Sequence, residues 1–292
     1  MSLIWGIPYL FIRVAVAEIS PATLVFARTC IAAVILLPIA LLRTDYRAVL
    51  VRWRWVAAFA IAEMGIPWVL LGTAEQQITS SLAGLLVAGV PLVATVLAVA
   101  TGGRDRIGVN GIAGLLVGLV GVAGIVGVNL GNSNPLAFLA LGVVVLGYAT
   151  GPAILARRLG GMSNVAVMAF SLSLCAVIYA PVALLQRPAT MPSAGALGAV
   201  AVLGLVCTAA AFLLFWELID EVGPVRSTVV TYFNPAVAAV LGIVVLNESF
   251  TPLMAAGFGL VILGSVLATR PAGAARIEEP AGPAEALDQA AL

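Results

Sequence analysis

The chain contains no lysine and no histidine; all fourteen of its basic residues are arginine. Without imidazole it lacks the commonest metal ligand and general base. Cysteine is scarce as well. Cys30, Cys175 and Cys207 each fall in an apolar run, without metal-ligand spacing, and read as small packing residues. No metal or cofactor is expected. Charge of either sign is also scarce: 9% of the 292 residues are charged, against about a quarter in soluble domains. A net charge of +1 gives no electrostatic basis for a nucleic-acid partner.

What is present is apolar side chain, 62% of residues, in runs of about 20 that recur along almost the whole chain. Each run can cross the ~30 Å hydrocarbon layer as a helix, and the short alternating segments of a β-barrel do not occur. The chain reads as an all-α integral membrane protein. Breaks at charge, Gly/Pro and Asn clusters place ten transmembrane helices at roughly 3–18, 21–42, 54–72, 79–101, 108–128, 136–156, 164–186, 195–217, 225–246 and 252–269. The opening "MSLIWGIPYLFIRVAVAE" has no basic leader, and Arg13 interrupts its apolar run, so it reads as a first span rather than a signal peptide. Residues 270–292, rich in Ala, Pro and Glu, are expected to form a disordered cytoplasmic tail.

Arginine distribution sets an expected orientation. With the N-terminus cytoplasmic, the inner connections and tail hold Arg43, Arg47, Arg52, Arg54, Arg104, Arg106, Arg157, Arg158, Arg226, Arg270 and Arg276, and the outer connections only Arg187. By the positive-inside rule both termini are then cytoplasmic, in a plasma membrane such as the bacterial inner membrane.

The two halves resemble each other. "ISPATLVFARTCIAAVILLPIALLR" from Ile19 lies without a gap over "MSNVAVMAFSLSLCAVIYAPVALLQ" from Met162, matching Ser20 to Ser163 and Pro38 to Pro181. Further on, Pro91 in "AGVPLVATVLAV" matches Pro235 in "YFNPAVAAVLGI". Repeats of five spans each, 3–128 and 136–269, must enter the membrane from opposite sides. Such inverted five-helix repeats are the architecture of secondary transporters, which rock about a midplane site.

The ordered set "WGIPYLFIRVA", "LVFARTCIAAVILLPIALLR", "SSLAGLLVAGVPLVATVLAV" and "VRSTVVTYFNPAVAAVLGIVVLNESFTPLMAAGFGLVILG" resembles the drug/metabolite transporter (DMT) superfamily, EamA type, over residues 3 to about 269. The resemblance implies a ten-helix bundle around a central cavity that moves small organic metabolites, often amino acids outward. It departs where Asn247-Glu248 of the second half becomes Gly103-Arg104 in the first, and where Tyr148 stands for Trp5. A receptor or assembly scaffold without transport is the alternative. An intramembrane enzyme is disfavoured by the lack of a metal cluster or nucleophile–base pair.

Charged groups inside spans cost several kcal/mol and so face protein or a watery cavity. Three qualify: Arg13, Arg28 and Glu63. Two readings of Glu63 stand open. It is either ion-paired with Arg28 or Arg13 and fixes packing, or it lines the cavity and takes a cationic substrate group or a coupling proton. The resemblance expects basic residues at Arg13 and Arg28, which favours a structural or gating role for them over direct substrate contact. Glu63 has no acidic counterpart in the second half; 144 residues on stands Cys207, next to Thr208. Pro8, Pro67, Pro91, Pro152 and Pro235, the last after Asn234, lie within spans and are expected to kink helices around the cavity. Trp5, Tyr9, Trp68, Tyr148, Trp216 and Tyr232 either stack on a substrate or pack in the core. The glycines of the fifth span, Gly114 and Gly118 among them, serve close helix packing, inside the bundle or across a homodimer; monomer and homodimer both remain open.

Overall fold

Apolar runs bounded by Ser, Asn and Pro become helices with satisfied N-termini. In the computed structural model, which describes residues 1–101, 109–129, 134–222 and 233–269, the Ser20 hydroxyl accepts from Thr23 N and that of Ser163 from Ala166 N. These matched caps open α3 (Pro21–Arg43) and α11 (Asn164–Leu185), the two segments aligned in sequence. Pro38 and Pro181 both lie inside their unbroken helices.

The other helices are α1 (Ser2–Gly6), α2 (Pro8–Ala15), α4 (Arg47–Val51), α5 (Trp53–Ala60), α6 (Ile66–Glu75), α7 (Ser80–Val87), α8 (Val90–Ala100), α9 (Val109–Asn129), α10 (Pro135–Arg158), α12 (Ala194–Gly204), α13 (Ala211–Val222), α14 (Asn234–Leu246) and α15 (Pro252–Thr269). No strand occurs among the described residues. Eight helical stretches there are long and apolar enough to cross a membrane. Ser2–Ala15 and Asn234–Leu246 are shorter apolar helices, so eight of the ten expected spans meet the length requirement among the described residues. The expected tail lies outside the described residues.

Three expectations change. The third span continues past Gly72 to Glu75, which places a further acidic residue in the bundle. Gly72 does not end the helix; it lets α6 lie against Val16 and Pro21. Pro152 sits inside the unbroken α10, whereas Pro8, Pro67, Pro91 and Pro235 occupy first turns of new helical segments. A first-turn proline removes no needed donor, so these residues start segments after a break.

Two spans are interrupted by π-helical turns, Ile61–Gly65 and Leu205–Ala210, and the first residues of the two stand 144 positions apart. The second has no proline after it, so proline alone does not cause the bulge. Widened turns free carbonyls, and side chains take them up: Thr208 Oγ1 donates to Leu203 O at 2.7 Å and Tyr179 Oη to Gly65 O at 2.9 Å.

Each half packs chiefly on the other. α2 pairs with α12, α3 with α11, α6 with α10, α7 with α14 and α9 with α15. In the last pair Gly114 and Gly121 meet the backbone of α15, and Gly264 meets that of α9, so these glycines serve packing inside the bundle.

At the arginine-poor end two carboxylates clamp helix starts across the halves. Glu248 accepts from Ser80 N at 2.7 Å and Ser81 N at 2.9 Å, and from both hydroxyls. Glu18 accepts from Ser193 N and Oγ, each at 2.6 Å. A carboxylate on the orphan donors of a helix N-terminus makes charge-assisted bonds and meets the positive end of the dipole. At the opposite end Arg157 donates to Thr101 Oγ1 and Arg52 to Arg158 O.

Glu248→Ala is expected to lower stability by about 3 kcal/mol, since four donors lose their acceptor; thermal unfolding in detergent measures this. The bonds from Ser193 hold the Glu18 carboxyl below its ordinary value. A depressed folded value adds stability above the unfolded one, and that stability is lost as pH falls through the folded one. The acid limb of unfolding, below about pH 4, is therefore expected to be steeper in the wild type than in Glu18→Gln.

Candidate functional site

Arg28 links the two broken spans. α3 carries Arg28 inward, the π-turn 61–65 presents Glu63, α6 follows with Trp68, and α10 presents Tyr148. From the second half the π-turn 205–210 brings Cys207 and Thr208.

Arg28 is 7% exposed. Its Nε donates to Thr208 Oγ1 at 2.7 Å, a bond between the halves, and its Cζ lies 3.8 Å from the centroid of the Trp68 ring. The Thr208 hydroxyl donates to Leu203 O and accepts from the guanidinium on a lone pair. Tyr148 is within electrostatic range of Arg28, Glu63 and Glu75. It also packs against both hydrophobic cores, so it stands where they join.

Glu63 lies against Gly151 of α10, where even a methyl group would overlap its carboxylate. Gly147, one turn earlier, lets Ala62 O and Pro67 approach in the same way. These two glycines form the groove that receives the π-turn. Glu63 Oε2 is buried and accepts no hydrogen bond among the described residues.

The structure does not bring Glu63 into an ion pair with either arginine. Arg28 turns to Thr208 because α3 packs on the second π-turn as well as on α11. Arg13 donates from Nη1 to the backbone carbonyl of Glu75 at the end of α6. It also lines a cleft of about 390 Å³ with Val16, Ala17 and Gln76.

The other sequence-chosen residues divide. Trp5 packs on Phe215, with centroids 4.6 Å apart, and on Phe212, which stacks on Trp216; these form an aromatic cluster between α1 and α13. Tyr9 is buried within electrostatic range of Tyr148 and Glu75. Asn234 opens α14 beside Gly6, and Tyr232 lies outside the described residues. Sequence reasoning missed Thr208 as a partner of Arg28, and Glu75. The signal for Glu75 was the absence of any breaker after Gly72 other than glycine itself.

Residues 1–127 and 135–270 match the EamA-like transporter family, once in each half. The chain belongs to that family. It is therefore a multi-pass membrane transporter of the drug/metabolite superfamily with a small-molecule substrate, in a family of transporters and not of enzymes. A solved structure titled "Crystal structure of protein" has the same fold, with a TM-score of 0.64 over 92% of this chain and 93% of that one, at 20% identity. No curated protein matches.

Arg28 and Trp68 are expected to be energetically coupled. A double-mutant cycle of Arg28→Met and Trp68→Leu, read by thermal unfolding, should give a coupling energy of about 2 kcal/mol, as for a desolvated cation–π contact.

Proposed function

We propose that this EamA-type transporter is a secondary exporter of small organic metabolites, amino acids or related compounds, working by alternating access. Its two halves act as inverted five-helix repeats, 3–128 and 136–269, that rock about the site holding Arg28. The arginine-rich face is cytoplasmic, both termini lie on that side, and the membrane is the bacterial inner membrane.

One observation carries the reading. Arg28 is buried in a membrane span and bonded to a hydroxyl and an aromatic ring, while its ionisable neighbours are Cys207 and Tyr148 and not a carboxylate. A cation kept in a bilayer without a counter-ion is costly, and a substrate's anionic group relieves that cost on binding. Thr208 and Trp68 orient the guanidinium for that group. Across Tyr148, the unpartnered oxygen of Glu63 offers an acceptor to a substrate amine.

The cross-half pairing supports rocking. α2 with α12 and α6 with α10 exchange roles between the halves, as a pseudo-two-fold axis requires, and the π-turns supply bends at matched depth.

The test is counterflow in proteoliposomes loaded with the twenty proteinogenic L-amino acids, with a labelled mixture outside. Exchange by the wild type, at least tenfold lower in Arg28→Gln and partly retained in Arg28→Lys, is expected. Absence of exchange for this pool, or wild-type exchange by Arg28→Gln, overturns the reading.

A further inference from the structure

We propose that Glu75 is the proton-loading site of the transport cycle, taking a proton from the arginine-poor side. The proposal rests on the transporter reading above and assigns its coupling ion.

Glu75 is 0% exposed, and neither of its carboxylate oxygens accepts a hydrogen bond among the described residues. A dry, unpartnered carboxylate is held either neutral by a proton or charged by a bound cation. Its position favours the neutral form. Glu75 is the last residue of α6, where the negative end of the helix dipole opposes an anion. Titratable groups surround it on several elements. From α2 come Tyr9 and Arg13, from α10 Tyr148, and from the turn before α15 Glu248. On its own span lies Glu63, and α3 carries Arg28. Arg13, a facing cation, gives its Nη1 to the backbone carbonyl of Glu75 and not to the carboxylate. Glu248, a second anion, is committed to Ser80 and Ser81.

The cleft of about 390 Å³ lined by Arg13, Val16, Ala17 and Gln76 reaches the residue adjoining Glu75 from the arginine-poor side. Loading converts Glu75–COO⁻ to Glu75–COOH with a proton from solvent, and release reverses it, with no redox step. At the equivalent second-half position the sequence has Ile219, so the site is single.

The experiment uses Glu75→Gln, which mimics the proton-loaded side chain and leaves Arg28, Trp68 and Thr208 in place. Infrared spectra of the purified protein at pH 7 are expected to show a neutral-acid carbonyl band that weakens in Glu75→Gln; an unchanged band overturns the proposal whatever the transport result. In proteoliposomes with the labelled amino-acid mixture, counterflow by Glu75→Gln is expected within twofold of wild type. Accumulation driven by a pH gradient should fall to the level seen without a gradient. Gradient-driven accumulation by Glu75→Gln at the wild-type level overturns the proposal. Loss of counterflow in Glu75→Gln also overturns it, since the residue would then serve exchange and not coupling. Failure of the wild type itself to exchange the mixture fails the transporter reading, which the infrared result does not depend on.

Discussion

The hydrocarbon interior of a bilayer supplies no hydrogen bonds, so every backbone group exposed by a break in a helix needs a partner from the protein. This chain breaks its spans repeatedly and meets that demand with particular side chains. Thr208 takes Leu203 O, Tyr179 takes Gly65 O, Cys175 lies on Ala60 O, and Arg13 takes the carbonyl of Glu75. The polar residues that look isolated in an apolar sequence are in large part these partners. Arg28 is tied to the same demand, because the Thr208 hydroxyl that accepts from it also donates to a freed carbonyl.

The two halves are coupled at three depths by different chemistry. Glu248 and Glu18 hold helix starts at the arginine-poor end through short charge-assisted bonds. The Arg28–Thr208 bond crosses the middle, and Arg157 and Arg52 cross the opposite end. Such polar contacts are directional and can be broken and remade. The glycine-rich face between α9 and α15 is different: backbone lies against backbone over a continuous surface, which resists sliding. The first kind of contact suits surfaces that separate during a cycle, the second a seam that stays closed.

The bundle contains a buried cation without a carboxylate partner and, at separate places on one span, two carboxylates with buried, unpartnered oxygens, Glu63 and Glu75. An arrangement tuned only for stability would bring such groups together, since breaking up a buried pair leaves each charge uncompensated. Here Arg28 and Arg13 both turn elsewhere. Tyr148, packed against both hydrophobic cores, lies within electrostatic range of Arg28, Glu63 and Glu75.

Apolar composition and period by themselves determined the helical membrane class and most span positions, because hydrocarbon thickness and backbone satisfaction leave few alternatives. The matched caps at Ser20 and Ser163 were legible for the same local reason: a capping serine acts within its own first turn. What the sequence could not decide was partnership. Glu63 and the two arginines lie close enough along their helices to pair, yet helix rotation and the π-turns send Arg28 across to Thr208, 180 residues away. Glu75 looked like a loop residue until the packing of Gly72 on Pro21 carried the helix past it. A side chain's direction depends on the faces that neighbouring helices present, and only the assembled tertiary structure sets those faces.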